Sequence, residues 1–363
     1  MSEHKAPFLK NRAAEKRKKI PTGPSLFGRL VGLAGVLFFG SLIFAFVWLM
    51  NYSEKLTAPE TASREVLVTI PQGASNADIA GILREAGVIK DPSAFLWAVK
   101  IKRTLKQNVA MKAGEQALDP SKNAWDVIST LVKGNFKYYP FTIPEGYNMA
   151  DISRAVGASG LAGAEEFWAL CHDKEFIKSL GVEADTLEGY LFPETYNFPK
   201  GTSAKTIAKA MVDQMRAVWN KHASAARAKG LTLNEVLTLA SIVEKETGSP
   251  GERPLIAAVF FNRLKKKMKL QTDPTVIYGL RNFDGNITRK DLADPHPYNT
   301  YVIDGLPPGP IASPGEAAIN AVINPSNTKH LYFVSKNDGT HHFSETLNEH
   351  NRMVARYQRG GSS

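Results

Sequence analysis

The sequence predicts an α+β protein with a single N-terminal transmembrane helix, a small α+β module and a larger mixed α/β domain. Residues 30–50 carry no charged side chain, which predicts the transmembrane helix. From residue 65 onwards a strand, a turn and a helix follow one another, which predicts the small module. Beyond residue 143 helical and strand patterns are mixed, and a length of 363 residues allows two domains with buried cores.

Composition excludes several classes of protein. A content of 43% hydrophobic and 22% charged residues excludes a disordered chain and a polytopic membrane protein. Cys171 is the single cysteine, so an intramolecular disulfide and every Cys-x-x-Cys metal or redox motif are excluded. A net charge of +10 raises the question of a nucleic-acid partner, but +6 of this charge lies before residue 30.

The charge-free segment is long enough to cross a bilayer. As a helix, the twenty-one residues of 30–50 would be ~31 Å long. Eight basic residues precede the segment and only Lys55 follows it closely, which predicts a cytoplasmic basic tail at 1–29 and an exported remainder. The alternative, a cleaved signal peptide, lacks a small-x-small site at 51–55. Because membrane topology accounts for the basic tail, we expect no nucleic-acid partner.

A linker and one module are predicted after the transmembrane helix. Residues 51–64 are mostly polar and predict the linker. Residues 65–70 predict a strand, and Ser75 or Asn76 can cap the helix that follows. The same pattern of strand, turn and helix recurs 73 residues later. Since this pattern is a common local combination and two copies do not make a solenoid, we assign 65–142 to one α+β module.

The larger domain, residues 143–358, is predicted to combine helices with a long loop region. Residues 268–324 are rich in proline, glycine, asparagine and aspartate, and so long an irregular stretch is either a functional loop system or disorder. Its aromatic and aliphatic residues favour order. The predicted regular elements are helices at 165–170, 203–221, 232–247 and from Pro254 to Arg263, a strand at 331–334 and a final helix at 344–357.

The helix predicted at 232–247 has an unusual distribution of acidic residues. Thr232 and Glu235 have the spacing of a capping box, which fixes the start of the helix. On a helical wheel Glu244 and Glu246 lie within or at the border of the apolar arc, whereas Lys245 faces water. Partly apolar surroundings favour the protonated form of a carboxylic acid, which is what a general acid at neutral pH requires.

Two alternatives stay open for these glutamates. Glu246 lies nearer the helix C-terminus, whose partial negative charge favours protonation, so we prefer it as the acid. Periodicity alone does not choose between Glu246 and Glu244. One or both carboxylates could instead form a buried structural salt bridge with Arg253 or Arg263.

Motifs in and around this helix resemble those of a known family. They are Ala240-Ser-Ile-Val-Glu-Lys-Glu-Thr247, Val259-Phe-Phe-Asn-Arg-Leu264, Leu270-Gln-Thr-Asp-Pro-Thr-Val-Ile-Tyr-Gly279, Tyr298-Asn-Thr-Tyr301, Gly305-Leu-Pro-Pro-Gly-Pro-Ile311 and, before them, Glu188-Gly-Tyr-Leu-Phe-Pro-Glu-Thr-Tyr196. Further matches near the C-terminal end are Tyr332-Phe-Val334, His341, Phe343 and Glu349-His-Asn351. Over roughly residues 65–358 the sequence resembles the endolytic murein transglycosylase family, also called YceG-like. Long motifs in one order make a chance match improbable.

The resemblance implies an architecture and an activity. The architecture is one membrane span, a LysM-like module at 65–142 and a catalytic domain at 143–358, in a single-pass protein of the bacterial inner membrane. The activity is that of a lytic transglycosylase, a lyase that cleaves the β-1,4 bond between N-acetylmuramic acid and N-acetylglucosamine inside nascent glycan strands. The products carry 1,6-anhydromuramoyl ends, and the catalytic glutamate of the family falls on Glu246.

The resemblance also implies partners. These are peptidoglycan glycan strands as the substrate and, near the membrane, penicillin-binding proteins and other cell-wall synthases. It links cleavage to the termination of glycan elongation, and it implies no metal or cofactor. The histidines His330, His341, His342 and His350 do not change this expectation, because their spacing is not that of a metal-binding motif.

Eight further residues are candidates for contact with the substrate, because their side chains can bind sugar hydroxyls, acetamides or ring faces. They are Glu194, Asn262, Arg263, Gln271, Thr272, Asp273, Tyr298 and Asn299. Each also has a structural alternative: a carboxylate after proline caps turns, Asp-Pro makes turns, and aromatic residues anchor loops.

A second class of function shares every feature except a working acid. It is a non-catalytic peptidoglycan-binding scaffold of the cell-wall synthesis machinery. A muramidase that hydrolyses the same bond with water is a third alternative.

Overall fold

The fold is that of a computed structural model, which describes residues 26–57, 59, 62–246, 248–280 and 283–358. The predicted basic tail lies outside these residues as far as residue 25. Within the described part, helices and three two-stranded sheets form a mixed α+β structure, which confirms the predicted class. The chain divides into two compact units: the first contains the described residues up to 68 with 73–112 and 118–134, and the second contains 69–72, 113–117 and the described residues from 135 onwards.

The N-terminal helix α1 (Leu26–Lys55) is apolar enough from Leu26 to Leu49 to cross a membrane, and it is the one such helix among the described residues. This finding is compatible with the predicted span at 30–50. The helix continues beyond the predicted end. Tyr52 is buried and its hydroxyl donates to the carbonyl oxygen of Ala94 at 2.9 Å, so the predicted linker at 51–64 begins as the last turns of α1.

The elements between residues 66 and 133 combine two strands with three helices. They are β1 (Val66–Ile70), α2 (Asn76–Glu85), α3 (Pro92–Thr104), β2 (Gly114–Leu118) and α4 (Ala124–Lys133), and β1 pairs with β2. Ser75 caps α2 as predicted, through a capping box with Asp78. The three helices bury Leu83, Phe95 and Leu131 completely, which gives this part of the chain its own core.

The second unit begins with a two-stranded sheet and four helices. They are β3 (Tyr138–Thr142), α5 (Met149–Ser159), α6 (Ala164–Leu170), α7 (Lys174–Ser179), β4 (Thr195–Pro199) and α8 (Ala204–Ala228). Strands β3 and β4 are antiparallel, with Phe141 opposite Tyr196. Helices α6 and α8 confirm the predictions at 165–170 and 203–221.

Helix α9 (Leu233–Glu246) lies at the centre of this unit. Its predicted capping box is present, because the Glu235 amide donates to the Thr232 hydroxyl and the Glu235 carboxylate accepts from the Thr232 amide. Every residue from 236 to 243 is buried, and the helix packs on α8 and on three helices that follow it in the chain. A helix enclosed on all sides is rigid, so its C-terminal end holds the backbone of Glu244 and Glu246 in a fixed position.

The chain after α9 is more regular than predicted. Its elements are a short 3-10 helix (Pro250–Glu252), α10 (Arg253–Lys265), α11 (Asp273–Gly279), α12 (Arg289–Ala293), α13 (Glu316–Ile323), β5 (Tyr332–Ser335), β6 (His341–Ser344) and α14 (Leu347–Tyr357). The prediction of one irregular stretch over 268–324 was wrong for α11, α12 and α13. Pro274 lies in the first turn of α11, where proline is favoured, and Thr288 starts α12 with a capping box.

Strands β5 and β6 form an antiparallel hairpin that packs against α14. Within it Ser335 pairs with His341 and Val334 with His342. Neighbouring residues of a strand point to opposite faces, so His341 and His342 face different surroundings. The strand predicted to be buried is only half-buried, apart from Val334.

Candidate active site

The two glutamates at the end of α9 have different surroundings. Glu244 is buried, and its Oε1 accepts a hydrogen bond from Arg253 Nη2 at 2.7 Å. Its Oε2 accepts from the Gly315 amide at 3.0 Å, just before α13. The salt-bridge alternative is therefore correct for Glu244, whose carboxylate joins α9 to α10 and α13. A Cβ at position 315 would meet the Glu145 carboxylate, which is the end of a flexible side chain and would have to move aside.

Glu246 is half-buried and lies in a cleft on the other side of the helix. The Thr272 hydroxyl donates a hydrogen bond to its Oε1. Burial raises the pKa of Glu246 to about 7, although this hydrogen bond and the positive charge of Arg263 act in the opposite direction. A carboxyl group with this pKa is protonated in a substantial fraction of molecules at neutral pH.

Thr272 is held by two other buried threonines. Its amide donates to the Thr300 hydroxyl at 3.0 Å, and its carbonyl oxygen accepts from the Thr275 hydroxyl at 2.7 Å. The Thr275 and Thr300 hydroxyls are 2.8 Å apart, and all three residues are at most 2% exposed. This network fixes the hydroxyl that contacts Glu246, because each threonine is oriented by the others.

The cleft at Glu246 has a volume of about 580 Å³ and is lined by polar and aromatic side chains. The residues that line it include Glu246, Arg263, Gln271, Asp273, Tyr301, Tyr332, His341 and His350. Among the described residues, no three or more His, Cys, Asp or Glu side chains are grouped so that they could hold a metal ion.

Arg263 forms part of the cleft wall. Its Nε donates to the Leu331 carbonyl oxygen at 2.7 Å and its Nη1 to the Leu270 carbonyl oxygen at 2.9 Å. Its guanidinium lies over the Tyr332 ring, 5.1 Å from the ring centroid. These contacts connect α10 to β5 and to the segment before Thr272, so Arg263 shapes the cleft while its charge acts on Glu246.

Gln271 and Asp273 flank Thr272 and both line the cleft. Gln271 is exposed and has a left-handed backbone, with φ of 50°. Asp273 accepts a hydrogen bond from the Tyr301 hydroxyl at 2.7 Å, and burial raises the pKa of Tyr301. Four of the predicted substrate contacts, Arg263, Gln271, Thr272 and Asp273, are thus brought together with Glu246.

The structure does not bring Asn299 into the cleft. Asn299 is completely buried, and its Nδ2 donates to the carbonyl oxygens of Asp291, Leu292 and Asp294. Its Oδ1 accepts from the Tyr301 amide at 3.0 Å. Because its polar atoms are all used, its side chain anchors the loop and cannot bind an acetamide group.

Three further candidates also lie elsewhere. Glu194 is exposed, and its carboxylate accepts from the Thr195 amide at 3.0 Å. Asn262 donates to the carbonyl oxygens of Thr328 and His330, which ties α10 to the segment before β5. Tyr298 packs against Tyr278, with ring centroids 4.8 Å apart. The observed contacts of Glu194, Asn262 and Tyr298 fit a structural role and not the predicted contact with the substrate.

Sequence reasoning did not assign a site role to Glu188, although the residue opens one of the quoted motifs. Burial raises the pKa of Glu188 to about 7, against hydrogen bonds from the Met149 amide and the Tyr278 hydroxyl. Tyr278 belongs to α11, whose first turn follows Thr272. Glu188 therefore anchors the far end of the helix whose start contacts Glu246.

His341 and His350 also line the cleft, and sequence reasoning had placed them among the residues that match the family without giving them a role. His350 stacks on Tyr332 at 5.2 Å, and burial lowers the pKa of His350. Neighbouring residues in the sequence could not have indicated this position, because the hairpin and α14 are brought to the cleft by tertiary packing.

Residues 68–356 match the model of the YceG-like family. An endolytic murein transglycosylase of Bacillus subtilis is 36% identical over 84% of this chain and 89% of the relative, and one from Streptococcus pneumoniae is 33% identical over 82% of this chain and 59% of the relative. A crystal structure of a YceG-like protein from Listeria monocytogenes is 33% identical, with a TM-score of 0.56 over 80% of this chain and all of that one.

Proposed function

Because this chain belongs to the YceG-like family and is a lytic transglycosylase, a lyase of the cell wall, we propose that Glu246 is the acid and base of its reaction. The observation that carries this proposal is the contrast between the two glutamates of α9. Glu244 is neutralised by Arg253, whereas Glu246 faces an open cleft with a pKa of about 7. A group that must first donate and then accept a proton works best with a pKa near the working pH.

The reaction proposed for Glu246 has two proton transfers. The protonated carboxyl group gives its proton to the glycosidic oxygen as the bond from this oxygen to the muramoyl C1 breaks. The carboxylate then takes the proton of the muramoyl C6 hydroxyl as that oxygen bonds to C1, which closes the 1,6-anhydro ring. The acid is regenerated and no water is consumed. The substrate's own 2-acetamido group can hold the cationic intermediate, so a second catalytic carboxylate is not required.

The cleft suits a glycan strand. Arg263, Gln271 and Asp273 offer hydrogen-bonding groups, and Tyr301 and Tyr332 offer aromatic surfaces on which sugar rings can stack. Thr272 supports the acid through its hydrogen bond to Glu246. We assign cleavage inside nascent strands, with termination of glycan elongation as its consequence, because the named relatives are endolytic.

The anchor in this proposal is α1, inserted in the bacterial inner membrane with its N-terminus in the cytoplasm. Support comes from the apolar span Leu26–Leu49, from the basic residues before it, and from the stacked pair Trp48 and Tyr52 at its end. Tyr52 comes three residues after Leu49, which is about 5 Å along a helix. Because Tyr52 packs into the first unit, this unit would be held at the periplasmic membrane surface.

The module at 65–142 is proposed to be LysM-like, and the domain at 143–358 to be catalytic. Support for the module is its two-stranded sheet with α2 and α3 between the paired strands. Penicillin-binding proteins and other synthases of the cell wall are proposed partners, since they produce the nascent strand at the same membrane surface.

The test is an analysis of products. The full chain, in detergent, is incubated with uncrosslinked glycan strands, and the fragments are analysed by mass. Fragments with 1,6-anhydro ends are expected from the wild type. Fragments with reducing ends would show a hydrolase instead, and strands of unchanged length would show a scaffold.

A further inference from the structure

A histidine and a glutamate from distant parts of the chain form a close pair at the cleft. His341 Nδ1 lies 2.7 Å from Glu252 Oε2, and the His341 amide donates to Glu252 Oε1 at 2.8 Å. Both side chains are only 13% exposed. The two contacts fix the imidazole in position and angle, since the same carboxylate holds the ring and its backbone.

His341 is placed to act together with Glu246. It lines the same cleft as Glu246. The Phe333 ring packs edge-on against the imidazole, with centroids 5.5 Å apart. Glu252 ends the 3-10 helix and directly precedes α10, close after the end of α9, so the pair is connected to the same rigid helices as the proposed acid.

The pairing decides which way the imidazole can act. A carboxylate accepts hydrogen bonds and does not donate them, so Nδ1 carries the proton in the bond to Glu252. In the neutral ring Nε2 is then an acceptor. Substrate-assisted cleavage calls for an acceptor, because the acetamido nitrogen gains positive charge as its carbonyl oxygen bonds to C1.

We propose that His341 Nε2 accepts the N–H of the muramoyl 2-acetamido group, with Glu252 as the positioning residue that keeps the ring proton on Nδ1. The proposal rests on the transglycosylase reaction assigned to Glu246 and adds a second polar group to it. As the acetamido oxygen bonds to C1 and the glycosidic oxygen departs with the proton of Glu246, positive charge spreads to the acetamido nitrogen. The hydrogen bond to Nε2 strengthens at that moment, and it relaxes when the C6 oxygen displaces the acetamido oxygen.

The hairpin offers a matched control. His342 is the next residue of β6, and its Nε2 lies 3.4 Å from Glu349 Oε1. It is thus a second histidine paired with a glutamate, on the opposite face of the strand and outside the residues that line the cleft. Damage to the hairpin should affect both variants, whereas a contact with the substrate should affect only His341.

The experiment measures kcat and KM of the full chain in detergent on uncrosslinked strands for the wild type, His341→Ala and His342→Ala. We expect His341→Ala to lower kcat about 100-fold with little change in KM, since one transition-state hydrogen bond is worth about that much. Added imidazole should restore at least a tenth of the lost rate, because it can fill the space of the ring. His342→Ala should keep the wild-type kcat, and Glu252→Gln should lower kcat about tenfold at unchanged KM.

The acetamide assignment is tested on strands from which the N-acetyl groups have been removed, at enzyme concentrations that give measurable wild-type product. There His341→Ala and the wild type should be equally slow. An equal loss on both substrates, a loss that imidazole does not restore, or an unchanged kcat would each overturn the inference. If the wild type itself forms no anhydro ends, the proposed function fails instead, so the two failures are distinguishable.

Discussion

Glu244 and Glu246 lie two residues apart on α9, yet one is locked in an ion pair with Arg253 and the other opens into a cleft beside Thr272. Successive helix positions two apart point in different directions, so the same helix end serves both the packing of the protein and its chemistry. This division of roles makes the two carboxylates separable by substitution.

Glu244→Gln should damage stability more than chemistry. It removes the nearer of the two carboxylates that pair with Arg253, whose side chain is 10% exposed, and weakens the contact that holds Gly315. We expect the free energy of unfolding to fall by about 3 kcal/mol, in the range for breaking a buried pair. Thermal unfolding of the full chain measures this, with Glu165→Gln, at an exposed position of α6, as the control. An unchanged midpoint would contradict the assignment of Glu244 to the core.

Thr272→Val should change the pH dependence of the reaction. In the wild type kcat/KM should fall as the pH rises through about 7, since Glu246 must be protonated to act as the acid. The Thr272 hydrogen bond lowers the pKa of Glu246, so its loss should move this limb to higher pH while kcat falls about tenfold. Thr272→Ser keeps the hydroxyl and should retain the wild-type profile. If Thr272→Val left the alkaline limb of the kcat/KM profile at the wild-type pH, this would contradict the hydrogen bond between Thr272 and Glu246.

Glu188→Gln should alter how stability depends on pH. The pKa of Glu188 is raised from 4.5 to about 7, so the folded protein binds more protons than the unfolded chain within that range. Stability from this group is therefore fully present below about 4.5 and is lost as the pH rises to about 7. Between pH 5 and pH 8, we expect the free energy of unfolding of the variant to fall by about 2 kcal/mol less than that of the wild type. Urea unfolding at several pH values measures this, and an equal change of the free energy of unfolding with pH in the two proteins would contradict it.

Asn299→Asp should unfold the loop that Asn299 anchors. An aspartate cannot donate to the carbonyl oxygens of residues 291, 292 and 294, which would leave them facing an acceptor in a buried site. We expect a loss of about 3 kcal/mol in the free energy of unfolding. Asn286→Asp, at an exposed position, is the control. A stable Asn299→Asp protein with a raised KM would favour the acetamide role predicted from the sequence.

Local signals in the sequence predicted much of the fold. The charge-free run located α1, and the capping residues Ser75 and Thr232 located the starts of α2 and α9. These features depend on residues close in the chain, so they can be read without tertiary structure. The helices inside 268–324 were missed because proline and glycine usually mark loops, although proline also favours the first turn of a helix.

The site could be predicted only in part. The wheel placed both glutamates at the edge of the apolar arc, but Arg253 and Gly315, which distinguish Glu244, come from other elements. Asn299 has the residue type of a sugar ligand, and only its three carbonyl contacts show an anchor. The Glu252–His341 pair joins residues 89 positions apart, a separation for which one sequence carries no signal.

The central claim is that Glu246 carries the chemistry of this transglycosylase. The most direct test is the rate of formation of 1,6-anhydro ends from uncrosslinked strands by wild type, Glu246→Gln and Glu244→Gln, each normalised to folded protein. We expect Glu246→Gln to lose at least about 1000-fold while its thermal midpoint is retained, and Glu244→Gln to keep activity within about tenfold of wild type. Substantial anhydro product from folded Glu246→Gln would contradict this claim. Loss of the anhydro product in folded Glu244→Gln but not in folded Glu246→Gln would contradict it as well.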